Sequence, residues 1–154
     1  RSFRDRLAGY GDGDLAAAYN RLVEDPDPAV RERAAREWCE WEKAIDVTAP
    51  SSGPSRYDDP VFRAAFVRIV THYWRHGSWL EEGIVLREAG RLAGIPGVLV
   101  QGGLDPGNLV GTPWELAHAW PGSELVVVGE EAHGLGEPRM VEALVAATDR
   151  FAGR

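Results

Sequence analysis

The sequence predicts an α/β chain in which several amphipathic helices precede a strand-helix-strand-helix ending. Two observations carry that prediction. Ahead of Ile95, apolar residues recur at the three-and-four spacing of a helix that buries one face. Beyond it, Ile95 to Gly102 and Glu124 to Val128 are short apolar runs bounded by Pro, Gly and acidic turn residues, which read as buried strands. The single helix between them makes the two strands parallel. The helical region is expected over 1–78 and the strand-bearing region over 79–154.

In chain order, Arg1 to Tyr10 is charged and amphipathic, and Gly11 to Asp14 breaks it before a helix that runs to about Val23. Asp27 and Pro28 then supply an N-cap and a first-turn proline for a helix to about Asp46. Val30, Ala34, Trp38, Trp41 and Ile45 fall within an arc of about 80° on it, a core-facing stripe, and Glu42 sits roughly 40° beyond Trp38 at its border. Val47 to Tyr57, rich in Ser, Pro and Gly, is a loop. Asp58 or Asp59 caps the next helix, with Pro60 at its start and Phe62, Phe66, Ile69, Val70 and Tyr73 on one face. A further helix is expected from Trp79 to Leu92, another from an N-cap at Thr112 to Trp120, and the last from Pro138 to Phe151.

Bulk composition narrows the function. The 154 residues are 44% apolar with six tryptophans, enough for a sizeable core. A net charge of -7, without a basic cluster, argues against nucleic acid as a partner. Cys39 stands alone, so no internal disulfide is possible and a reducing compartment is compatible. No apolar run approaches membrane-spanning length and no signal-like segment opens the chain, so a soluble, cytoplasmic protein is expected with no membrane partner. The chain begins at Arg1, which leaves open an upstream segment. His72 and His76 have the i, i+4 spacing of a metal pair but no carboxylate frame, so a surface or packing role is expected and no metal or other cofactor is called for.

Asp105 and His133 carry the chemistry. Each lies just past the carboxyl end of one of the two strands, the edge of an open α/β sheet where ligands bind. An Asp and then a His in those loops are the second and third members of the Ser-Asp-His order of α/β-hydrolases. A serine hydroxyl is a weak nucleophile until an imidazole takes its proton, and a carboxylate fixes the imidazole tautomer. Read singly, Asp105 is also an ordinary turn former and His133 an ordinary loop histidine.

Longer stretches are more specific. Ala35 to Glu42, with its Trp38-Cys39-Glu40-Trp41-Glu42, resembles the tryptophan-rich cap helix of the proline iminopeptidases, serine peptidases of the α/β-hydrolase fold. Arg68 to Trp74 is similar to their "R-I-E-x-H-Y-F" segment, Ile95 to Asp105 to the strand that delivers the triad aspartate, Trp114 to Pro121 to the next helix, and Ala132-His133-Gly134 to the "G-H-S" of the triad histidine. The resemblance runs nearly end to end. It implies the carboxyl-terminal part of an α/β-hydrolase, a helical cap followed by two parallel strands with flanking helices. It also implies release of N-terminal proline from peptides, with Asp105 and His133 as catalytic residues. Glu42 would face the peptide's free amine, and cap aromatics, Trp38 and Tyr73 among them, would wall a pocket for the pyrrolidine ring.

The sequence departs from that family at definite places. None of Ser2, Ser51, Ser52, Ser55, Ser78 and Ser123 lies in a G-x-S-x-G turn, so the nucleophile is expected from an amino-terminal half, in the same or a separate chain, and the chain alone is expected to be inactive. Val70 replaces the glutamate of the R-I-E segment, Gly103 the arginine before the aspartate, and Asn108 to Pro113 the usual Cys-Pro. Two other readings remain beside the peptidase: a hydrolase of the same fold acting on an ester or amide without a charged amine, and a non-catalytic relative serving as a binding or assembly module. An unpaired strand edge is open to another molecule, a homo-oligomer included.

Overall fold

The computed structural model describes residues 14–45, 55–134 and 137–152, with the side chain of Ile45 outside that set. The expectations for Arg1 to Tyr10 and for most of the Val47 to Tyr57 loop lie outside the described residues. The described residues form two compact units, one of 14–43 with 55–81 and the other of 44–45 with 82–134 and 137–152.

In the first unit, α1 (Leu15–Leu22) starts on Asp14, whose carboxylate accepts the Ala17 N–H at 3.0 Å. Asp27 accepts the Ala29 N–H at 2.8 Å and opens α2 (Pro28–Ile45). Asp59, with Pro60 in the first turn, opens α3 (Pro60–Arg75). The three helices bury Tyr19, Leu22, Val23, Ala34, Ala35, Trp38, Cys39 and Val67 together, with Val30, Trp41, Phe66 and Val70 partly buried against them. Trp38 meets Tyr19, Trp41 and Trp74 edge to face, with ring centroids 5.4–5.6 Å apart. A buried polar chain pins α1 to α3: Thr71 donates to the Val67 carbonyl, Asn20 donates to Thr71 Oγ1 at 3.1 Å, and Arg75 donates to Asn20 Oδ1 at 2.7 Å.

The helix expected from Trp79 to Leu92 is corrected. Gly77, Ser78 and Trp79 all have positive φ, at 54°, 52° and 55°, and Gly83 is left-handed too, at 70°. No right-handed helix passes through such residues. Helix α4 is therefore only Ile84–Glu88, followed by a 3-10 turn at Ala89–Leu92. Trp79 is held in this backbone state by its ring, which stacks on His76 and meets Tyr73 and His72.

The second unit holds β1 (Gly97–Gly102) and β2 (Ser123–Val128), paired in parallel from Gly97 opposite Ser123 to Gly102 opposite Val128. The crossover is α5 (Gly111–Ala119), and α6 (Pro138–Asp149) packs on both strands. Thr112 is not the N-cap of α5: the helix begins one residue earlier, Val110 holds the cap position without a side-chain bond, and Thr112 lies inside the first turn. The strands are also less buried than their apolar runs suggest. Only Gln101 and Gly102, at the end of β1, are fully buried, because a two-stranded sheet covers little of its own surface.

Candidate active site

The site grows from the carboxyl ends of β1 and β2. After Gly102 the chain stays bound to the neighbouring loop: Gly103 N–H donates to the Val128 carbonyl and Leu104 N–H to the Glu131 carbonyl, both at 2.9 Å. This approach needs Gly102 to be glycine, since a Cβ there would lie 2.1 Å from the Ala132 carbonyl oxygen and 2.6 Å from that of Glu131. The two loops are thus laced together one residue short of the functional groups.

Asp105 then turns inward, 7% exposed. Its Oδ1 accepts the backbone N–H groups of Gly107 at 2.9 Å and Asn108 at 3.0 Å, and its Oδ2 lies 2.7 Å from His133 Nδ1. Burial alone pushes the Asp105 carboxyl up, but the bonds from His133, Asn108 and Gly107 outweigh it and hold the acid below its ordinary value. An ionised carboxylate only accepts, so the neutral imidazole carries its proton on Nδ1 and leaves Nε2 as a free base. The His133 side chain is 63% exposed, so that base is open to an incoming proton donor.

No protein-family profile matches the chain. Individual relatives do. A probable proline iminopeptidase of Streptomyces coelicolor is 57% identical over 145 residues, 92% of this chain and 44% of the relative. The proline iminopeptidase of Xanthomonas citri is 38% identical over 90% of the chain and 45% of its own length. That of Arabidopsis thaliana is 29% identical over 97% of the chain and 40% of its own length. The chain is homologous to the carboxyl-terminal part of the proline iminopeptidases. It spans less than half the length of those relatives.

The proline iminopeptidase pattern extends beyond the pair, and in each unit this chain departs from it. Where that pattern has arginine this chain has Gly103, and a Cβ there would meet the Gly129 carbonyl oxygen at 2.7 Å, so the backbone leaves no room for a side chain. In the first unit, Glu42 Oε1 accepts the indole N–H of Trp38 at 2.8 Å. Trp38 itself is 2% exposed and belongs to the core. Tyr73 is exposed, and with Phe66, Ile69, Val70 and Trp74 it lines an apolar groove of about 530 Å³ along α3, whose lining includes neither Trp38 nor Glu42. Val70, in place of the expected glutamate, makes that wall apolar.

Other nucleophile and metal candidates are weak. Burial pushes the Cys39 thiol up to about 11, which suppresses the thiolate. His72 and His76 lie with ring centroids 5.0 Å apart against Trp79, and among the described residues no cluster of three or more metal-ligating groups occurs. Among the described residues no helix is long and apolar enough to cross a membrane. The residues that sequence reasoning missed are Gln101 and Asn108, one read only as strand and the other only as part of the segment that replaces the usual Cys-Pro.

Proposed function

We propose that this chain supplies the acid and base of a proline-iminopeptidase-like serine hydrolase, together with its cap, while the nucleophilic serine comes from an amino-terminal portion. The observation that carries the reading is the 2.7 Å contact between buried Asp105 Oδ2 and exposed His133 Nδ1, at the ends of adjacent parallel strands. Asp105 fixes the imidazole with Nδ1 protonated. His133 Nε2 then accepts the serine hydroxyl proton as the oxygen attacks the carbonyl, and returns it to the departing amine. Water, deprotonated by the same nitrogen, releases proline from the acyl-enzyme, and the serine recovers its proton from the imidazolium. Asp105 stays ionised throughout.

On this reading the substrate is a peptide with N-terminal proline. Glu42, with one oxygen held by Trp38, offers the other to the charged imino group, and Tyr73 belongs to the apolar wall for the ring. Trp38 acts through Glu42 rather than by touching the ring. The setting is cytoplasmic, and this chain alone is inactive. A second reading, an ester or amide substrate without a charged amine, is favoured by Val70, which removes one of two expected carboxylates from an otherwise apolar groove.

Joining the chain to the amino-terminal part of the Streptomyces coelicolor relative tests both readings. The fusion should cleave a chromogenic amide of proline and spare its N-blocked form. Equal cleavage of the blocked amide would replace the first reading with the second, and cleavage of neither would remove both.

A further inference from the structure

Gln101 is an anomaly in β1. It is 6% exposed, in a strand position where an apolar side chain would pack without desolvating an amide. Every polar atom of that amide is nevertheless used, and chiefly on one partner. Its Nε2 donates to the Asn108 carbonyl at 2.9 Å and the Gly102 carbonyl at 3.0 Å, and its Oε1 accepts from Asn108 Nδ2 at 3.0 Å. The same nitrogen lies 3.5 Å from Asp105 Oδ2, at the limit of a hydrogen bond. Gln101 and Asn108 therefore close a two-point clamp across the loop that contains Asp105.

The clamp has a geometric consequence. It fixes Asn108, and Asn108 N–H, with Gly107 N–H beside it, is what grips Asp105 Oδ1. With Oδ1 gripped, the carboxylate plane is set and Oδ2 has one direction left, toward His133 Nδ1. We propose that Gln101, through Asn108, is a positioning residue that sets the Asp105 carboxylate and thereby the tautomer of His133. The proposal rests on the reading of Asp105 and His133 as the hydrolase pair, but the clamp is measurable without catalysis.

The experiment is nuclear magnetic resonance on the 154-residue chain at about pH 8.5, above the ordinary imidazole range. Long-range proton-nitrogen correlation reads which ring nitrogen of His133 holds the proton, and amide exchange reads the grip on Asp105. In Gln101→Met the Nε2–H form should rise about threefold or more, and exchange at Gly107 and Asn108 should quicken about tenfold, the loss of roughly one net hydrogen bond. Asn108→Ala should act in the same direction but less, because its carbonyl remains. Asn108 is exposed, so this variant serves if the buried substitution fails to fold. A Gln101 that merely stabilises the strand would lower the melting temperature and leave tautomer and amides of the folded molecules unchanged, which overturns the proposal. In the completed hydrolase, Gln101→Met should lower kcat about tenfold and move KM less than about twofold. A tautomer that responds while the completed fusion has no activity keeps the clamp and removes the hydrolase reading, whereas an unmoved tautomer removes the clamp whatever the activity.

Discussion

The two units solve the same problem, burying apolar surface, with different success. The first gathers Tyr19, Trp38, Cys39 and Val67 from three helices into one continuous cluster, although it too leaves Val61, Ile69, Tyr73, Trp74, Trp79 and Leu80 exposed. The second has a two-stranded sheet, with Ala89, Ala132 and Met140 as its buried apolar residues, and it leaves Ile95, Leu104, Leu109, Trp114, Val127, Val141 and Val145 exposed among its described residues. The better-ordered chemistry sits on the less complete unit. Local lacing, through glycines and loop hydrogen bonds, positions Asp105 and His133 where bulk packing does not, and the proposed amino-terminal partner would cover the remaining surface.

Three perturbations would sharpen or break that contrast. The largest is Trp38→Ala, which empties the centre of the first unit and should cost about 3–5 kcal/mol in urea unfolding. Amide exchange beyond Glu82 should stay as it was. A parallel loss in both units would contradict their separate cores. Next is Gly102→Ala, whose Cβ cannot coexist with the Ala132 carbonyl. It should destabilise the second unit by about 1–3 kcal/mol and lengthen the Asp105–His133 contact, seen as loss of the hydrogen-bonded imidazole proton resonance. Survival of that resonance would mean the lacing is not what holds the pair.

The smallest effect is a pH dependence. Asp105 is held below its ordinary value in the folded chain. Its contribution is therefore present above the unfolded carboxylate value, about 3.9, and is lost as pH falls through the lower folded value. Asp105→Asn should remove that acid limb from the second unit and leave the first unit's acid profile unchanged. An unchanged limb would mean that Asp105 is not linked to folding.

Much of the frame was legible in the sequence because local chemistry dictates it. Asp27 caps its helix as expected, Asp59 is the cap of the two aspartates the sequence offered, and two apolar runs joined by one helix had to pair in parallel. The placement of Asp105 and His133 past neighbouring strand ends followed from that topology. What was not legible depends on distant partners. The left-handed Trp79 answers to the rings of His72, Tyr73 and His76, the absence of any side chain at Gly103 answers to Gly129, and the clamp joins Gln101 to Asn108 across a loop that reads as simple turn. Burial of Trp38 beside an exposed Tyr73 likewise needed coordinates, since both are aromatics on core-facing stripes.

The central claim is that His133, oriented by Asp105, is the base of a serine hydrolase. Its most direct test is the rate at which the fusion with the Streptomyces coelicolor amino-terminal part hydrolyses a proline amide, measured beside the same fusion carrying His133→Ala. The account predicts ready turnover by the first and a loss of about 10⁴-fold or more in kcat for the second, with KM little changed. Equal turnover by the two proteins would contradict it.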